Sequence, residues 1–129
     1  MGARSIARGK VSGEVLVSKD PIGFLGGVDP ETGIVIEKGH CLEGKSIVGK
    51  ILVFPNGKGS TVGSYVMLQL AKNKKAPAAI INVSAEPIIV VGAIISKIPM
   101  VDKADNHQIL KNGMMIEVDG TKGKITIRD

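Results

Sequence analysis

Residues 56–64, NGKGSTVGS, place an ammonium, three hydroxyls and three glycines in one short stretch. They follow an apolar run, Ile51-Leu52-Val53-Phe54-Pro55, that reads as a buried strand, and they precede a helical pattern from about Thr61 to Lys75. A glycine-rich turn between strand and helix lets the backbone approach a ligand closely. It also aims unpaired helix N-terminal amides at any anion placed there. With Ser60 expected at the N-cap, Lys58 and Gly59 before it and Thr61 after it, the stretch suits an anionic substrate and sets a hydroxyl where it can react. The plainer alternative is a tight turn capped by Ser60, worth about 1 kcal/mol to the helix. A simple cap has no need of Gly57, Lys58, Gly59 and Thr61 together. A P-loop, G-x-x-x-x-G-K-[ST], is excluded, because Leu52 stands at its first glycine and Gly59 follows the lysine.

The other reactive side chains are weaker candidates. Asp20, Asp29 and Glu31 lie in a loop, DPIGFLGGVDPETG (20–33), where Asp29 is the best placed to position a substrate or a partner. His40 in KGHCLEG and His107 in ADNHQIL lack the Gly-rich Thr/Ser-His context of a phosphohistidine carrier, and both read as surface or partly packed residues. Cys41 is the only cysteine, which excludes an internal disulfide and a cysteine cluster, and it reads as a small packing residue. Lys72, Lys74 and Lys75 suit the negative end of a helix dipole. Ser64, one turn into the helix, reads as a small residue permitting close packing.

These residues must be held by elements legible in the hydropathy pattern. Residues 5–18 alternate as one or two strands, 33–37 as a short strand, 78–83 as a buried strand and 98–101 as another. Residues 86–97 read as a helix with Pro87 in its first turn, 104–111 as one or two helical turns, and the end of the chain from Met114 as a hairpin. The 20–33 loop has two prolines and four glycines in fourteen residues yet keeps Phe24, Leu25 and Val28, so it is expected to pack as a structured loop. The sum is an α/β chain, β-rich with two or three helices, and 129 residues fit a single domain, 1–129. With no Trp, one Tyr and two Phe, the core must be built from Val, Ile, Leu and Ala. The net charge of +5 comes from scattered lysines with no aromatic platform for bases, which favours an anionic small molecule or acidic partner over nucleic acid. No segment approaches the roughly 20 apolar residues of a membrane span, so neither a membrane nor a leader is expected, and the expected location is cytoplasmic.

GFLGGVDPETG (23–33), KILVFPNGKGSTVGSY (50–65), APAAIIN (76–82) and EPIIVVGAIISKIPMVD (86–102) together resemble the small subunits of the aconitase X family, over roughly residues 5 to 128. The likeness is greatest to its archaeal branch, which acts on phosphomevalonate. The resemblance implies a swivelling β/β/α domain like the mobile last domain of aconitase, working in a heterodimer with a large subunit. It implies a hydro-lyase reaction of isoprenoid biosynthesis, loss of water from mevalonate 5-phosphate to give trans-anhydromevalonate 5-phosphate. The 4Fe-4S cluster, with an iron acting as Lewis acid on the departing hydroxyl, is implied for the partner, and the lone Cys41 agrees with that division. The family's serine in its GKGS or GRGS motif maps onto Ser60 as proton acceptor, with Lys58, Gly59, Thr61, Gly26, Gly27 and Asp29 expected near the substrate or the interface. Gly23 departs from the serine usual in the family. An aconitase X dehydratase for another hydroxy acid, such as a hydroxyproline, and a non-catalytic anion-binding or phosphocarrier module are the alternatives.

Overall fold

The computed structural model of the chain describes residues 1–128. Four parallel strands form the middle of one seven-stranded sheet: β2 (Lys10–Val17), β3 (Ile51–Phe54), β4 (Ala79–Asn82) and β5 (Met100–Asp102). Antiparallel strands complete it, β1 (Arg4–Ala7) beside β5, then β6 (Met115–Asp119) beside β2 and β7 (Lys124–Arg128) beside β6. The two ends of the sheet meet. Gly2 bridges Lys124, Ala3 N–H donates to the Gly123 carbonyl at 2.9 Å and Ile125 N–H donates to the Met1 carbonyl at 2.9 Å. Curling closed in this way removes the unpaired edges that an open sheet would expose.

Period-two alternation explains why β3 and β4 are buried at every residue. Ile51, Val53, Ala79 and Ile81 face one core with Val15, Val101, Ile116 and Val118. Leu52, Phe54 and Ile80 face a second core, shared with Met67 and Leu70 of helix α1 (Gly63–Lys72), Ile89 of helix α2 (Pro87–Ile95), and Ile22, Phe24, Val28 and Ile47 from the segment 18–50 between β2 and β3. The expectation of a structured loop is borne out by Phe24 and Val28, with Phe24 set edge-on to Phe54 at 6.4 Å between ring centroids. Leu25 is instead exposed. No helix among the described residues is long and apolar enough to cross a membrane.

Helix α2 starts where expected, with Pro87 in its first turn and the Glu86 carboxylate accepting from Ile88 N–H at 3.1 Å and Ile89 N–H at 2.7 Å. Helix α1 packs on it at Gly92, where a Cβ would collide with Met67 Sδ, and buried Ser64 fills the same seam, as its size suggested. Two expectations need correction. Residues 33–37 form no strand; Ile34 and Val35 make only lone bridges to Ser46 and Val28, since the glycine-flanked segment is too short to build a ladder. Helix α1 ends at Lys72 because Lys74 adopts the left-handed region at φ 58. The one helical turn expected within 104–111 is present, as a 3₁₀ turn at His107–Ile109.

At the C-terminal end of β5, Asp102 is fully buried yet charged. Arg4 holds it with two bonds, Nε to Oδ1 at 2.8 Å and Nη2 to Oδ2 at 2.7 Å, and Ala85 N–H donates to Oδ2 at 2.8 Å. Burial pushes this carboxyl up, but Arg4 and the Ala85 amide outweigh it and hold the group below the usual carboxylate range. Asp102→Asn is therefore expected to cost about 2 kcal/mol at pH 7, the scale of hydrogen bonds to a charged group. A depressed carboxyl stabilises fully above its unfolded value near 4 and loses that contribution as pH falls through the lower folded value. Urea unfolding should thus show a gap between wild type and variant at pH 7 that closes below about pH 4; a gap independent of pH would refute the assignment.

Candidate anion site at the strand-to-helix turn

β3 delivers the chain to Phe54 at the C-terminal end of the parallel strands, the end at which open α/β sheets carry their ligands. From there residues 55–62 cross to α1. Ile22 pairs with this segment like a short parallel strand: its N–H donates to the Asn56 carbonyl at 3.2 Å and its carbonyl accepts from Lys58 N–H at 3.1 Å. The 20–33 loop and the 56–61 turn are thereby joined at Ile22. Gly57 is buried because a Cβ there would strike Ile89 and the Glu86 carboxylate, so the turn is clamped onto the start of α2.

Beyond Gly57 the turn is open. Lys58, Gly59, Ser60 and Thr61 are all exposed, and Gly59 takes φ +90 with free space around it. Ser60 is not the N-cap. The Ser60 carbonyl accepts from Gly63 N–H at 2.9 Å, a tight i to i+3 turn, so α-helical bonding starts only after Val62. Ser60 Oγ accepts from Val62 N–H at 3.1 Å. Among the described residues, the amides of Gly59, Ser60 and Thr61 have no acceptor. A hydroxyl oxygen that receives one N–H, with three neighbouring amides that have no acceptor, leaves this turn with donors to offer an anion, as helix starts do.

Lys58 Nζ pairs with Glu37 Oε2 at 2.9 Å. Glu37 is the member of this group that sequence reasoning misses; it lies 21 residues away and reaches Lys58 only because Ile36 N–H donates to the Gly27 carbonyl at 2.8 Å. Gly27 sits 3.6 Å from Glu37 Oε1, measured from where its Cβ would be, and Gly23 similarly lies 3.0 Å from the Lys58 carbonyl. A serine at Gly23 would need that carbonyl to give way by a few tenths of an ångström. Gly26 is exposed at φ +77. Asp29 is elsewhere. Its Oδ1 accepts from Glu31 N–H at 2.9 Å, and the same turn is tied to the far end of α1 through Asn73 Nδ2 to the Pro30 carbonyl at 2.8 Å. Ten helical residues, about 15 Å at 1.5 Å each, separate it from Ser60.

A second cluster, Asp20, His40 and Cys41, has its potential ligand atoms within 4.8 Å of one another. His40 is buried, more deeply than the surface or partly packed position expected, and both its nitrogens are used. Nδ1 accepts from Leu42 N–H at 3.0 Å and Nε2 lies 3.0 Å from the Pro21 carbonyl, to which it donates. That leaves no lone pair for a metal and no site for a phosphoryl group. Cys41 is exposed rather than packed, with Sγ 3.3 Å from Ser18 Oγ. Its N–H donates to Asp20 Oδ2 at 2.9 Å and holds that carboxyl below its usual range, against the opposing push of burial. With one thiol so placed, these residues do not fit an iron–sulfur cluster, which takes several thiolates.

The model of the aconitase X swivel domain matches residues 1–127. The chain belongs to the aconitase X swivel family. The phosphomevalonate dehydratase small subunit of Methanosarcina mazei is 62% identical over 126 residues, covering 96% of this chain and 88% of its relative. That of Thermococcus kodakarensis is 59% identical, covering 96% and 92% respectively. The crystal structure of Thermococcus kodakaraensis aconitase X in its holo-form superposes with a TM-score of 0.96 at 56% identity, over 99% of this chain and 97% of that one. The aconitase X fold expected from the motifs is borne out by the curled seven-stranded sheet with two helices on its outer core. In this aconitase X swivel, the turn with the hydroxyl and the free amides lies at the C-terminal end of the parallel strands.

Proposed function

We propose that this chain is the small subunit of a phosphomevalonate dehydratase, a hydro-lyase that converts mevalonate 5-phosphate to trans-anhydromevalonate 5-phosphate. The observation that carries the reading is the exposed Ser60 oxygen, already receiving the Val62 amide and flanked by three amides without acceptors. It is supported by the name that relatives 52–62% identical to this chain carry. Ser60 Oγ takes the proton from the carbon alpha to the carboxylate. Ser60 acts as the alkoxide, and the C–H electron pair becomes the new C=C bond as the C–O bond to the departing hydroxyl breaks; that hydroxyl leaves as water by taking up one proton, which balances the one Ser60 gave up on ionising. Lys58 and the 59–61 amides neutralise the substrate's anionic groups, exposed Gly26 allows close approach, and buried Gly27 holds the loop against Gly23. Asp29, at the other end of α1, takes no part in this site. The 4Fe-4S cluster resides in the larger partner chain, since this one offers a single thiol.

The test is anaerobic co-expression with the large subunit and assay of mevalonate 5-phosphate dehydration, with a 4-hydroxyproline as competing substrate. Lys58→Met should raise KM for mevalonate 5-phosphate about tenfold, the equivalent of about 1.4 kcal/mol, with the complex intact. Turnover of the hydroxyproline alone would overturn the substrate, and an unchanged KM would remove Lys58 from the site.

A further inference from the structure

The nine residues of α2 include no charged or hydrogen-bonding side chain. Ile89, Gly92 and Ala93 are buried against α1 and the sheet, but the opposite side is apolar too, with Val91, Ile94 and Ile95 exposed. A helix apolar on every side is built for burial on every side. This bare stripe is not isolated. A Cβ on Gly63 would lie 3.7 Å from both Ile88 Cγ2 and the Leu25 amide nitrogen, which brings the starts of α2 and α1 and the 22–27 loop together. At that junction Leu25, Val62 and Tyr65 are exposed, Tyr65 by 65%. Six large apolar side chains, none less than 41% exposed, thus run from the loop tip over the start of α1 and along α2.

We propose that this face is the docking surface for the larger chain of the two-chain enzyme; the proposal rests on the function given above. A stable interface removes about 800 Å² from each partner, with an apolar centre and a polar rim. Six side chains of this size, with half-buried Ile88 among them, furnish such a centre, and exposed Lys58, Gln69 and Lys97 supply a rim. The occupant follows from position. The face borders the Ser60 turn, whose open side needs a second wall to exclude water. A second copy of this chain would set one basic turn against another. The complementary surface on the large subunit is therefore apolar and edged with acidic residues.

Titration calorimetry with the purified, anaerobically reconstituted large subunit tests this. Val91→Asp combined with Ile94→Asp is expected to raise Kd about 100-fold, while the melting temperature of the isolated chain is kept. Tyr65→Glu, on the other helix, should weaken binding in the same direction and guards against a fold defect in α2. Ile127→Lys, an exposed position at the far end of β7 from the Thr121 turn, should leave binding and turnover unchanged. Binding of the double variant within about threefold of wild type would overturn the proposal. So would an isolated wild-type dimer that the double variant splits while large-subunit binding persists. Loss of docking in the double variant together with full turnover by Ser60→Ala would uphold the docking face and refute the role of Ser60.

Discussion

Ser60→Ala is expected to lower kcat for mevalonate 5-phosphate about 10³-fold, within the range for loss of a positioned general base, with the two-chain complex intact and KM nearly unchanged. The magnitude follows from what a serine oxygen must overcome. An alcohol ionises far above neutrality, near the range of water, so forming the alkoxide at neutral pH costs on the order of 11 kcal/mol. A helix start contributes at most about 2 kcal/mol. Each N–H donated to the charged oxygen adds about 1.5–3 kcal/mol, and the geometry provides one such bond, from Val62 at 3.1 Å. These together fall well short. Lys58 is partly neutralised by Glu37 at 2.9 Å, so its full charge reaches the site only if substrate displaces that carboxylate. The remaining stabilisation requires a closed, water-free pocket, which an exposed turn on one chain lacks. The isolated small subunit should therefore show no turnover, and the alanine variant should lose it within the complex. A single-turnover assay with the purified complex separates the chemical step from assembly. Retention of more than a tenth of the wild-type rate would exclude Ser60 as the base.

The elements that hold this site were legible where one local signal dominated. Glu86-Pro87 marks the start of α2 because a carboxylate cap and a proline at the first helical position act through the chain itself. The runs at Ile51 and Ala79 read as buried strands because they are apolar without a break, and the sheet buries both their faces. The position of Ser60 was harder. Cap chemistry places a serine at the residue before the helix, whereas the i to i+3 bond from Gly63 to Ser60 inserts a tighter turn that no residue pattern announces. Glu37 and Asp29 show the limit most clearly. Loop pairing between Gly27 and Ile36 brings Glu37 to Lys58, and the Pro30–Asn73 bond carries Asp29 to the opposite end of α1. Both outcomes depend on contacts between segments distant in sequence, which periodicity does not encode. The closure of the sheet through Met1–Ala3 and Gly123–Ile125 has the same origin.

Gly27→Ala is expected to destabilise the chain by about 3 kcal/mol, the upper end of the cost of overpacking, and to lower the melting temperature by about 12 °C at roughly 4 °C per kcal/mol for a chain of this length. The cause is contact rather than dihedral strain. Gly27 has an ordinary φ, but a Cβ there would drive into the Gly23 carbonyl oxygen, which is backbone and cannot swing aside as a side chain would. The neighbouring atoms are all committed. Gly27 N–H donates to the Phe24 carbonyl at 3.3 Å, its own carbonyl accepts from Ile36, Phe24 packs edge-on against Phe54, and Gly23 already abuts the Lys58 carbonyl. Relief by moving Gly27 shifts Glu37 away from Lys58; relief by moving Gly23 shifts the turn that carries Ser60. Stability and substrate affinity should therefore fall together. Gly26→Ala is the contrasting case one residue away. Its φ of +77 makes alanine costly by about 1 kcal/mol, but open space surrounds it and nothing need move. Its melting temperature should fall by only about 4 °C. Thermal melts of the two variants, with KM measured in the complex, distinguish a rigid contact from a flexible approach. A Gly26 variant less stable than the Gly27 variant would show that conformation at the loop tip, and not the Gly23–Gly27 contact, holds the two segments of the site in register.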